Sequence, residues 1–256
     1  MTEELKQKLR VLAQKYEVAS FTEKDPSQFL RYYQNVRDAE AASFIASLLS
    51  FGNRKQFIPK ISYILALADE ASGDISSWLK TRAFRNTFIS PSGDSSDKFY
   101  RFYSYHDMTD LFESLATVLS ESTLGEKVHS EWKKNGDHPV QILGRMFENC
   151  TIVPKGKNSA NKRLHMFLRW MVRTDSPVDL GLWTWFDQKD LIIPLDTHVL
   201  QQSVELGLIS SGKTGRLPPA NIKTALKITE ALKQVWPTDP CKGDFALFGL
   251  GIDERN

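Results

Sequence analysis

Apolar residues recur at helical spacing along most of the chain. In residues 1–18, Leu5, Leu9, Leu12 and Tyr16 line one face of a helix. The run DAEAASFIASLLS, residues 38–50, combines good helix formers with acids in its first turn. With Phe44, Ile45, Leu48 and Leu49 inside it, this run predicts a helix buried on nearly every side and ended by Gly52. A helix over 54–71 would place Phe57, Ile61, Ile64, Leu65 and Ala68 on one side, with Pro59 near enough to its start to be tolerated. Amphipathic spacing predicts further helices over 108–119, 139–149, 197–206 and 219–235, the last started by Pro218 and Pro219. WKKNGDH reads as a polar connection and DFALFGLG, 244–251, as a short buried helix. Period-two alternation is nearly absent, so the expected class is all-α.

The segment SPSGDSSD, residues 90–97, reads as a surface loop. Aromatic and basic residues crowd its flanks: Arg82, Phe84, Arg85 and Phe88 before it, then Phe99, Tyr100, Arg101, Phe102, Tyr103 and Tyr105. Such interleaving can stack bases and hold phosphates. Large aromatics are more often buried than arginines, so the aromatics are expected to be core and the arginines its solvated rim.

Composition narrows the class without choosing a function. Hydrophobic residues at 41% and charged residues at 25% exclude a disordered or fibrous chain. No apolar run reaches the roughly 18 residues of a membrane span, and the first residues are charged and amphipathic, so a soluble cytoplasmic protein is expected. Cys150 and Cys241 are too few for a disulfide framework and are expected to be inert thiols.

Charge changes the picture locally. The formal net charge is +2, yet Lys155, Lys157, Lys162, Arg163, Arg169 and Arg173 fall within nineteen positions that hold no Asp or Glu. A basic stretch of this kind suits a polyanion such as DNA. Ser159 stands where an N-cap is expected, which puts Lys162 in the first turn of the following helix. Unpaired N–H groups and the helix dipole there disfavour an ammonium, as a lysine nucleophile requires; the same field would equally serve a phosphate contact. Asp196 follows Ile192, Ile193, Pro194 and Leu195 and precedes THVLQQ, an N-cap position that by itself accounts for an Asp. His198 could join Asp196 at a metal, but a third ligand is missing, so no metal or other cofactor is expected.

Three stretches then carry a resemblance. IPLDTHVLQ is similar to the aspartate-bearing segment of the helix-hairpin-helix DNA glycosylase superfamily, EAASFIASLLSFGNRKQ resembles its N-terminal helix, and DFALFGLG resembles its late helix, in the same order. In place of the Gly-rich hairpin of common members stands PKGKNSANK. The spacing from Lys162 to Asp196 resembles the longer connection of the archaeal 8-oxoguanine glycosylase branch, and KRLHMFLRWMVR resembles the core of a bacterial group in the superfamily.

The resemblance implies two helical subdomains with a cleft between them, one covering 38–174 and the other 1–37 with 175–256. It implies a monomeric, nucleoid-associated enzyme that flips a damaged base, an oxidised purine such as 8-oxoguanine, from double-stranded DNA. Lys162 would be the nucleophile and Asp196 its carboxylate, with strand cleavage as a further step. Lys155, Lys157, Asn158, Ser159, Arg163 and Arg169 would contact DNA, as would Asn53 and Arg54 at the mouth of the early helix. Trp170, Trp183 and His198 are the base-pocket candidates, with Trp185 beside them. Two alternatives stay open: a non-catalytic DNA-binding protein of the same fold, and a protein with no nucleic-acid partner whose basic helix is a solvated face.

Overall fold

The computed structural model describes residues 1–212 and 215–253, the last three by backbone alone. Its elements are α1 (Glu3–Tyr16), short 3-10 turns at Ala19–Lys24 and Pro26–Phe29, α2 (Val36–Leu49), α3 (Arg54–Ser72), α4 (Ile75–Lys80) and α5 (Phe84–Thr87). The strands β1 (Lys98–Tyr100) and β2 (Tyr103–Ser104) follow, then α6 (Tyr105–Leu119), α7 (Leu124–Asn135) and α8 (Pro139–Met146). The last third holds α9 (Lys162–Val172), α10 (Thr197–Glu205), α11 (Ile222–Lys233) and α12 (Gly243–Asp253). The class is all-α, and the strands of the β1–β2 hairpin, of three and two residues, are too short to show alternation in the sequence. Among the described residues no helix is long and apolar enough to cross a membrane.

The chain forms two compact units, Lys24–Lys155 and the pairing of Met1–Glu23 with Gly156–Asn256. The division falls at 23/24 and 155/156, whereas the resemblance implies one at 37/38 and 174/175. The lysine-bearing α9 therefore belongs with the C-terminal helices. Ala160, two positions ahead of it, packs among residues of α10, α11 and α12.

In the unit Lys24–Lys155 every residue of α2 from Asp38 to Leu49 is buried, as its composition predicts. Two of these residues are acids with specific work. Asp38 accepts from the N–H of Ser76 in the first turn of α4, at 2.9 Å, and Glu40 accepts from the N–H of Gly125 in the first turn of α7, at 3.1 Å. Each carboxylate thus satisfies a donor that a helix start leaves unpaired, and its charge suits the dipole there. The buried face of α3 comprises the five apolar residues expected. Helix α7 replaces the connection read into WKKNGDH. Its signal is a capping box, Thr123 with Glu126, and a left-handed Gly136 ends it. Helix α11 starts after Asn221, whose side chain accepts from the N–H of Thr224, and not at the prolines.

In the other unit α1 lies against α12, burying Leu9 and Ala13 with Val235 and Ala246. The approach is close: a Cβ on Gly249 would lie 2.0 Å from Cδ2 of Tyr16. Gly249→Ala is accordingly expected to lower stability by about 1–3 kcal/mol through overpacking, read as a drop in denaturation midpoint. A midpoint equal to that of the wild type would contradict the packing.

Candidate functional site

Lys162 and Asp196 meet within the second of these units. Lys162 is the first residue of α9, and its Nζ donates to Oδ2 of Asp196 at 2.7 Å across 34 positions of sequence. Apolar burial closes that distance. Ala160 ahead of Lys162, Ile193 and Leu195 ahead of Asp196, and Val199 and Leu200 behind it share one buried cluster with Ala225, Ile228, Leu232 and Leu247. Ile193 is further held by its N–H, which donates to the hydroxyl of Thr229 at 3.1 Å. Both polar side chains stay about one-third exposed, so a ligand can reach the pair from solvent.

Asp196 caps α10 as expected, its Oδ1 accepting from the N–H of Val199 at 2.8 Å. Burial pushes its carboxyl pKa upward, but the charge and hydrogen bond of Lys162, the Val199 N–H and His198 outweigh that and leave it below the usual value. A carboxyl with a lowered native pKa stabilises the fold above the unfolded value of about 3.9 and loses that contribution as pH falls through the native value. Asn caps a helix about as well as Asp, so Asp196→Asn is expected to keep the cap and lose this contribution, whereas Asp196→Ala loses a further ~1 kcal/mol. Denaturant midpoints measured from neutral to acid pH check both points. The gap between wild type and Asp196→Asn should shrink toward acid, and a gap that widens would contradict the assignment.

The residue before α9 is Asn161, in the left-handed region at φ 41° and without a capping hydrogen bond from its side chain, so Ser159 is not the cap predicted. Ser159 instead accepts from the N–H of Asn161 at 3.2 Å, and Asn161 Nδ2 donates to the carbonyl of Gly156 at 3.1 Å, which folds 156–161 into a tight loop. The carbonyl of Asn158 accepts from Ile222 N–H at 3.2 Å and ties the loop to the start of α11. Lys157, Asn158 and Ser159 are exposed and Arg163 is half-buried.

Several predicted contacts have other employment. Lys155 belongs to the other unit, where its Nζ donates to the carbonyls of Phe147, Glu148 and Cys150 at 3.3, 2.5 and 2.7 Å and closes the end of α8. Arg169 is buried, pairing with Asp179 at 3.2 Å and, more closely, with Asp244. Arg173 is buried against Asp179, Asp239 and Glu17. Burial opposes the charge of Arg173, but these three carboxylates more than offset it and hold the guanidinium protonated. Arg169 and Arg173, two of the six basic residues of the run, are therefore compensated by acids, of which only Asp179 stands close enough in sequence to have been a signal.

Trp170 and Trp183 are core residues, at 0% and 1% exposure, and are no open pocket wall. Trp183 stacks on the half-buried Trp185 at 5.5 Å, and His198 sets its ring edge-on to Phe248 at 6.3 Å. In the unit Lys24–Lys155, Asn53 caps α3 through the N–H of Lys55, and Arg54 pairs with Asp25 at 3.6 Å. Cys150 and Cys241 are buried, and burial pushes both thiols up, more so for Cys241. Among the described residues no group of three or more His, Cys, Asp or Glu side chains is placed to hold a metal ion.

A family model described as "Protein of unknown function (DUF2400)" matches residues 25–253. No curated protein and no solved structure matches. The match spans most of the chain, and the chain belongs to this family.

Proposed function

We propose that this protein is a DNA repair glycosylase that excises an oxidised purine such as 8-oxoguanine, with Lys162 as nucleophile and Asp196 as its carboxylate partner. The observation that carries the reading is the 2.7 Å contact between a lysine opening one helix and an aspartate capping another, both open to solvent. The resemblance of IPLDTHVLQ and KRLHMFLRWMVR to the helix-hairpin-helix glycosylases, and with it their two-subdomain fold, supports the same assignment. The exposed Lys157, Asn158 and Ser159 and the adjoining Arg163 supply donors for a phosphate backbone next to the reacting lysine.

The chemistry balances with these two groups. Asp196 takes a proton from the Lys162 ammonium, and the free amine attacks C1′ of the deoxyribose as the bond from C1′ to the purine nitrogen breaks. The electron pair leaves on the purine, which takes up the proton held by Asp196. The Lys162 nitrogen then sheds a proton, the C1′–O4′ bond opens, and O4′ is protonated, leaving a Schiff base. Asp196, ionised again, then takes a C2′ proton from that species, a C2′–C3′ double bond forms, and the C3′–O bond breaks with its electron pair leaving on the phosphate, which cleaves the strand.

The test is to incubate the full chain with duplexes bearing 8-oxoguanine or an abasic site and to add borohydride. A covalent protein–DNA adduct is expected; none with either duplex would overturn the nucleophile and leave a DNA-binding protein that does no chemistry.

A further inference from the structure

The unit Lys24–Lys155 carries a second polar and aromatic surface, away from any role in the chemistry of Lys162. The turn between β1 and β2 consists of Arg101 and Phe102. Phe102 is 58% exposed, more than any other large hydrophobic side chain among the described residues. Its neighbours in sequence, Phe99, Tyr100 and Tyr103, are all at or below 5%. The core reading of this aromatic run therefore holds for them and fails at the tip.

Phe102 is stacked on Phe51, with centroids 5.2 Å apart and planes at 30°, and meets the edge of Tyr103 at 4.7 Å. The ring is held in place while much of its surface faces solvent. Arg101 adopts φ 53°, a left-handed conformation that a long side chain rarely takes. Its guanidinium lies 5.9 Å from the Phe51 centroid, and Gly52 makes room for it, since a Cβ there would sit 2.6 Å from Nη1. Lys98 fixes the tip by donating to the Phe102 carbonyl at 3.1 Å. Beside the tip opens a cleft of about 770 Å³ lined by Gln56, Lys60, Phe99, Tyr100, Arg101 and Phe102. Two of these six side chains are cations and none is an acid.

We propose that this cleft binds unpaired nucleotides of a DNA strand, a base stacking on Phe102 while Lys60 and Arg101 hold the adjoining phosphates. A fixed, exposed aromatic ring that shares a cleft with two cations suits a base on its sugar-phosphate chain. A purely apolar partner would leave both charges unmatched. The binding requires nothing of Lys162, so it stands or falls apart from the glycosylase reading.

Fluorescence anisotropy of the full chain with a labelled oligothymidylate, measured across a salt series, tests it. Phe102→Ala should weaken binding at least about fivefold, and Phe102→Trp should retain it. Lys60→Gln and Arg101→Gln should each make the plot of log affinity against log salt shallower by about 0.7. Unchanged affinity in Phe102→Ala, or unchanged slopes in both charge variants, would overturn the proposal. Thymidine monophosphate competing as well as the strand, nucleotide for nucleotide, would also overturn it and point to a site for free nucleotides. Should Phe102→Ala fail to fold, the two charge variants decide the matter alone.

Discussion

Lys162→Arg is expected to bind duplex DNA as tightly as the wild type and yet give no borohydride-trapped adduct and no base release. An arginine at the first position of α9 keeps the positive charge and can still pair with Asp196, but its guanidinium stays protonated and cannot attack a sugar carbon. Lys162→Gln should lose the adduct as well, with base release falling on the order of 10³-fold or more. Neither change should unfold the protein, because a one-third-exposed ion pair contributes only about 0–1 kcal/mol. Asp196 also keeps its hydrogen bond to Val199 in both variants. Asp196→Asn should be slower by about 10²–10⁴-fold, the usual contribution of a proton-transferring group. An adduct that persists in both lysine variants would remove Lys162 from the mechanism. Weakened DNA binding in Lys162→Gln together with full activity in Lys162→Arg would recast Lys162 as a phosphate contact.

The second large effect is on stability. Asp179 is fully buried and accepts from both Arg169 and Arg173. Asp179→Ala is expected to cost about 3–5 kcal/mol, because it leaves two buried guanidinium groups short of a partner while the desolvation of each remains. For a chain of this length that corresponds to a melting point lower by roughly 6–20 °C. Asp179→Asn, which keeps the shape and some of the hydrogen bonding, should fall between the two. A loss under about 1 kcal/mol in Asp179→Ala would mean that Glu17, Asp239 and Asp244 suffice for the arginines. The cluster anchors the far end of the helix that Lys162 begins, so its loss should also reduce the fraction of protein able to form the adduct.

What could be read from residues alone followed local rules. The five buried positions of α3, the nearly all-round burial of α2 and the capping role of Asp196 each depend on a few neighbouring residues and a fixed spacing. The meeting of Lys162 and Asp196 could be suspected only from resemblance, because it is made by a cluster assembled from several helices. Charge misled for the same reason. Arg169 and Arg173 read as surface cations until Glu17, Asp239 and Asp244 arrive from remote parts of the chain to join the nearby Asp179. The start of α9 was missed by two residues because a left-handed Asn161, and no side-chain cap, opens it. Phe102 differs from its buried neighbours through its place at a two-residue turn, which no periodicity could reveal.

The clasp of α1 on α12 bears on how the chain is made. The unit Lys24–Lys155 has its sequence in one piece and can close while the rest is still emerging from the ribosome. The other unit cannot, for its first helix must wait for its last, with the whole of the first unit synthesised in between. Asp196 and the core that sets it beside Lys162 come late in this order. The contact of Lys162 with Asp196 thus depends on sequence that follows the whole of the unit Lys24–Lys155.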